Sequence, residues 1–124
     1  MKKAILVDIG VITEYLKNGK GDLPKAYEKF TMQITSTTYT ELLASTTFLD
    51  ENLEKEVIEF IKKYFEVINV DEKVALEASR IIRESDVNFA TALVAATAVT
   101  NSLDLLTDDK KVFEKINGIN FVEL

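Results

Sequence analysis

The run Ala4-Ile5-Leu6-Val7 is uninterrupted apolar sequence that stops on Asp8, with Ile9 and Gly10 behind it. So short an apolar segment, closed by a charge and a glycine, predicts a strand buried on both faces, as in the interior of a parallel sheet. Such a strand needs helices on both sides of it, which commits the chain to an α/β layered architecture. Asp8 then stands at the strand's carboxyl end, where open parallel sheets place their ligand crevice. An unpaired carboxylate there is costly, so Asp8 is a functional candidate before any motif is considered.

The rest of the chain alternates helices with short apolar strands. Val11 to Lys17 has helical spacing and ends at Asn18-Gly19, a C-terminal helix signal. Pro24 opens a helix to about Lys29, and Met32 to Thr35 alternates like a strand. Thr38-Tyr39-Thr40-Glu41 has the spacing of a capping box, predicting a helix from near Thr38. Asp50 or Asn52 caps the next helix, which runs through Tyr64, and Phe65 to Val70 forms a third strand. Asp71 caps a helix ending near Ser85. Asp86 or Asn88 caps another, from Phe89 to about Asn101, apolar nearly all round and therefore expected to be buried. Leu105 to Thr107 is the fourth strand, Lys111 to Ile116 a short helix and Asn120 to Val122 a last strand. The expectation is a three-layer fold: a mostly parallel sheet of about five short strands flanked by helices, with right-handed crossovers. Its 124 residues suit one domain, 1–124.

Cysteine and histidine are both absent. That excludes disulfides, thiol nucleophiles, ordinary zinc sites and Ser-His-Asp chemistry, leaving carboxylates, hydroxyls, amines or a metal held by oxygen. A net charge of −6 argues against indiscriminate binding to phosphate backbones. The longest apolar stretch, Ala90 to Val99, falls well short of the roughly 20 residues of a membrane span. Met1-Lys2-Lys3 leads into a strand, not a signal sequence. A soluble, cytoplasmic protein is expected.

In a parallel sheet Asp8, Glu41, Asp108 and Asp109 all follow strands along one rim. Like charges resist such convergence unless a cation lies between them, and magnesium or manganese, hard ions that take oxygen ligands, would serve. Each acid also has an ordinary explanation. Glu41 completes the capping box, and Asp108 or Asp109 can cap the helix that follows.

These residues resemble PIN domains, the nuclease fold of the VapC-type toxins of toxin–antitoxin pairs. The opening strand into Leu6-Val7-Asp8-Ile9-Gly10-Val11-Ile12 is similar to the family's first motif. Thr37-Thr38-Tyr39-Thr40-Glu41-Leu42 is similar to its hydroxyl-rich run ending in Glu-Leu. Leu93-Val94-Ala95-Ala96-Thr97-Ala98, followed by Leu105-Leu106-Thr107-Asp108-Asp109 and Phe113, matches its late segment. The resemblance covers the chain in order and length. It implies an endoribonuclease that uses acidic residues to bind magnesium or manganese and activate water for phosphodiester cleavage. Asp8, Glu41 and Asp109 would be the metal ligands and catalytic acids, with Thr107, Thr91 and Asp108 in support. It also implies a homodimer and a small antitoxin partner whose segment lies in the acidic groove.

Two positions depart from the family. Thr91 stands where a third Asp is usual, at the start of the Ala-rich helix, and Gly10 replaces a polar residue two after the first Asp. Losing a carboxylate implies an attenuated site, and Asp86 reaches inward only if a loop carries it there. Arg83 and Lys110 are the cations placed to receive RNA, against a reading as solvated surface charge. Other phosphoryl-transfer classes fit poorly. Haloacid-dehalogenase phosphatases need an Asp at position 10, receiver domains need an acidic pair and a late lysine, and nucleotide-binding P-loops need a glycine-rich cradle. The alternative to a nuclease is a catalytically inactive PIN-like protein that binds RNA or protein.

Overall fold

Ile5, Leu6 and Val7 are shielded completely from solvent. The computed structural model, which describes residues 1–46 and 51–124, places them in the interior of a four-stranded sheet. The strands are β1 (Lys3–Val7), β2 (Phe30–Thr35), β3 (Phe65–Ile68) and β4 (Asp104–Leu106). They lie in the order β3-β2-β1-β4, and every pairing is parallel. The expected fifth strand is reduced to a single bridge between Leu105 and Phe121.

Seven helices surround the sheet among the described residues: α1 (Ile9–Asn18), α2 (Leu23–Lys29), α3 (Ser36–Thr46), α4 (Glu51–Tyr64), α5 (Glu72–Ser85), α6 (Phe89–Thr100) and α7 (Lys110–Phe113). Alternating side chains of β1 serve two cores, as the pleat requires. Ile5 and Val7 pack with Val11, Ile12, Ala26, Leu42, Val57 and Ile61 from α1 to α4. Leu6 packs on the other face with Val74, Ala78 and Ile81 of α5 and with the buried Ala-rich stretch of α6. This is the three-layer α/β arrangement expected from the sequence.

Local signals set most element ends. Gly19 closes α1 at φ 65°, donating its N–H to the Tyr15 carbonyl at 2.7 Å, a left-handed stop that glycine makes without strain. The Asp71 carboxylate accepts from the Val74 N–H at 2.9 Å, and Asn88 Oδ1 from the Thr91 N–H at 2.8 Å. Asp86 is the left-handed residue that ends α5, so Asn88 is the one that caps α6. Asn52 lies inside α4 and is not its cap, and Asp50 falls outside the described residues.

Three expectations change. The helix after β2 starts at Ser36, earlier than Thr38, because the Thr35 hydroxyl takes the capping role and accepts the Thr38 N–H at 2.8 Å. That occupies the very amide, the Thr38 N–H, that the Glu41 side chain would accept in a Thr38–Glu41 capping box. The helix expected over Lys111 to Ile116 is the shorter α7. Phe89, at the open end of an otherwise buried helix, is 71% exposed.

Candidate active site

Since every strand runs the same way, the segments leaving β1, β2 and β4 emerge along one rim. The Asp8 N–H donates to the Leu106 carbonyl at 2.9 Å, which pins the first residue after β1 to the end of β4. Both carboxylate oxygens of Asp8 are engaged. Oδ1 accepts the Ile9 N–H at 2.9 Å, and Oδ2 accepts the Thr107 hydroxyl at 2.8 Å. The same hydroxyl accepts the Asp109 N–H at 3.0 Å. Thr107, itself buried, therefore orders Asp8 and the backbone of Asp109 with one oxygen.

Asp8, Glu41, Thr91, Asp108 and Asp109 line a single cleft of about 290 Å³. Glu41 comes from α3, whose start is fixed by hydrogen bonds between the Thr35 hydroxyl and those of Thr37 and Thr38, each 2.9 Å. Thr91 comes from the first turn of α6, held by its Asn88 cap. Asp109 precedes α7 without making a side-chain cap, so the capping explanation for that acid is not realised. Asp86 and Arg83 do not line the cleft, and neither does Lys110. Arg83 reaches back to the Ser79 hydroxyl at 3.4 Å, and the Lys110 ammonium lies 5.6 Å from the Phe121 ring centroid. The cations that the sequence offered for RNA stand off this wall.

The acids strain one another electrostatically. Burial pushes the Asp8 carboxyl above the ordinary aspartate range. The Thr107 and Ile9 hydrogen bonds pull it back, and the charges of Asp108 and Asp109 push it further up. Glu41, exposed by area, is also raised, first by the desolvating cleft wall and then by Asp8. The donor set is all oxygen, the chemistry that magnesium or manganese selects. Among the described residues no three acids close on one point as a finished metal cage. Magnesium is typically held by one or two carboxylates together with waters and substrate phosphate, and Asp8, Glu41, Asp108 and Asp109, which line one cleft, match it in donor type.

Sequence reasoning located each of these acids but missed the contact between Gly10 and Asp108, which also shape this wall. No local pattern announces it, because the two residues belong to α1 and to the segment after β4.

The family model for the PIN domain matches residues 5–119. The chain is 26% identical over 117 residues to the ribonuclease VapC1 of Methanocaldococcus jannaschii, covering 90% of this chain and 80% of that one. It is 26% identical over 113 residues to a VapC ribonuclease of Pyrococcus furiosus, covering 86% and 74%. Among solved structures, DNA-bound VapBC from Salmonella typhimurium superposes with a TM-score of 0.85 at 24% identity, over 98% of each chain.

Proposed function

We propose, from the premise that this chain belongs to the PIN domain family, that it is a single-domain, divalent-metal-dependent endoribonuclease of the VapC toxin type. The observation that carries this reading is the convergence of Asp8, Glu41, Asp108 and Asp109 from three separate segments on one cleft without a cationic side chain in its wall. Mutually repelling carboxylates at a sheet's carboxyl rim are held there at an energetic cost, which a divalent ion removes.

In this reading Asp8 and Asp109 hold the ion, Glu41 holds it or accepts a proton from water, and Thr91 offers a hydroxyl to water or phosphate. A bound magnesium or manganese ion supplies Lewis acidity toward water and toward the phosphodiester oxygens. Thr107 fixes the orientation of Asp8 through the 2.8 Å hydrogen bond, so one carboxylate of the set is preorganised by a buried hydroxyl. Absence of histidine is no obstacle, since carboxylates and ion together meet the acid–base need.

The VapBC and toxin–antitoxin neighbours support an antitoxin partner, and a cytoplasmic setting goes with the same proposal. No described helix is long and apolar enough to cross a membrane. An apolar groove of about 690 Å³, lined by Ile9, Leu16, Leu42, Leu53, Val57 and Phe60, meets the acidic cleft at Ile9. It gives a partner segment a path to the acids. A homodimer is part of the same proposal.

The test is cleavage of a pool of structured RNAs by the purified chain in manganese. Expected is endonucleolytic cleavage that EDTA abolishes and that Asp8→Asn or Asp109→Asn reduces by about a hundredfold or more. Wild-type cleavage rates in Asp8→Asn would overturn the assignment. Retention of RNA without any cleavage would favour the inactive binding module, a reading to which Thr91 and Gly10 lend weight as departures from the family pattern.

A further inference from the structure

Gly10 is the second residue of α1 and lies beside the cleft. A β-carbon built on it would collide with Asp108 Oδ1 and stand 2.7 Å from Oδ2 and 2.8 Å from the carboxyl carbon. An ordinary nonbonded contact is roughly 3.5–4 Å, so the Asp108 carboxylate occupies the volume that any side chain at position 10 would need. Backbone freedom does not explain the glycine. Gly19, Gly21 and Gly118 have positive φ and Gly10 does not, and inside a helix glycine is the poorer choice beside alanine. The glycine makes room for Asp108.

Asp108 is solvent-exposed and lines the same cleft as Asp8. It lies close enough to Asp8 for its charge to disfavour ionisation there. Among the described residues its side chain takes part in no hydrogen bond and no ion pair. The neighbouring cation, Lys110, faces Phe121 instead. Among the described residues no cationic side chain pairs with this carboxylate over Gly10, and a hard divalent cation beside Asp8 would do so.

We infer that Asp108, seated over Gly10, is a direct ligand for the divalent cation held by Asp8, and that Gly10 stands in α1 to admit it. The pair supplies the cleft with a carboxylate on the side of α1, whereas Thr91 on α6 brings only a hydroxyl. This rests on the metal-dependent reading of the cleft and names a ligand and a space-making residue for it.

The experiment is titration of the full chain with manganese alone, read by calorimetry and by water-proton relaxation, with metal-free thermal unfolding measured in parallel. Wild type is compared with Asp108→Asn, Gly10→Ala, the double variant and Asp8→Asn. A methyl group at position 10 evicts a flexible side chain and leaves the backbone in place, so Gly10→Ala is expected to keep or raise the metal-free Tm. Its manganese affinity is expected to fall about tenfold or more, and Asp108→Asn to fall by the same factor. The double variant should be no weaker than either single one, because both remove one seated carboxylate. Wild-type affinity in Asp108→Asn, with binding lost in Asp8→Asn, overturns this inference and leaves the nuclease reading standing. A lower metal-free Tm with unchanged affinity in Asp108→Asn marks a structural role and overturns it as well. If the wild-type chain binds no manganese at millimolar concentration, with or without RNA, both readings fall.

Discussion

Asp8 is the residue at which folding and function pull in opposite directions. Its folded pKa lies above the unfolded one because burial and the charges of Asp108 and Asp109 outweigh the Thr107 and Ile9 hydrogen bonds. The stability linked to this proton is therefore present in full below the unfolded aspartate pKa and is lost as pH rises through the folded one. Glu41, raised by the same kind of surroundings, adds in the same direction. In EDTA, Asp8→Asn is expected to have a higher Tm than wild type at neutral pH, with the difference closing in acid. Thermal scans across pH would check it, and a neutral-pH Tm below wild type would contradict it. Thr107 acts the other way. Thr107→Val leaves the Asp109 N–H without its acceptor and Asp8 Oδ2 without its donor. Expected are a loss of about 1–3 kcal/mol in urea unfolding and a roughly 10–100-fold fall in cleavage, with Thr107→Ser restoring most of both. The acids themselves were legible in the sequence, because a carboxylate ending an apolar run stands out. Their dispositions were not. Asp108 and Asp109 are adjacent and chemically alike, and only the packing over Gly10 tells them apart.

At the scale of elements, the readable features were those encoded within a few residues. The Gly19 stop, the Asp71 and Asn88 caps and the buried β1 run each depend on near neighbours. The helix carrying Glu41 was misplaced because Thr35, Thr37 and Thr38 all offer hydroxyls, and the choice among them follows from where β2 ends against β3. Thr35 is fully buried and accepts the Thr38 N–H in the first turn of α3. Thr35→Val is expected to cost about 1–2 kcal/mol, read as a lower urea midpoint with an unchanged slope. A shift in manganese affinity should accompany it, since the same cap sets where Glu41 projects. The last strand failed to form as expected for a related reason. Alternation in Asn120 to Val122 predicts extended backbone, but only Phe121 finds a sheet partner, at Leu105.

For the whole molecule, the proposed ion would tie stability to its own concentration. Manganese at a hundred times its dissociation constant is expected to add about 2.7 kcal/mol to unfolding free energy. Calcium-free scanning calorimetry with stepped manganese would show a Tm that climbs with concentration in wild type and stays flat in Asp8→Asn. The sheet order carries a further consequence. Strand β1 is central, pairing with β2 on one side and with β4 on the other, and β4 follows α1 to α6 in sequence. The hydroxyl that steadies Asp8 arrives only with Thr107, and Asp109 follows it. A ribosome making this protein has thus produced almost all of the α-helical scaffold before the cleft can exist. Until β4 pairs with β1, a nascent chain carries these acids on unconnected segments and has no cleft to hold them together.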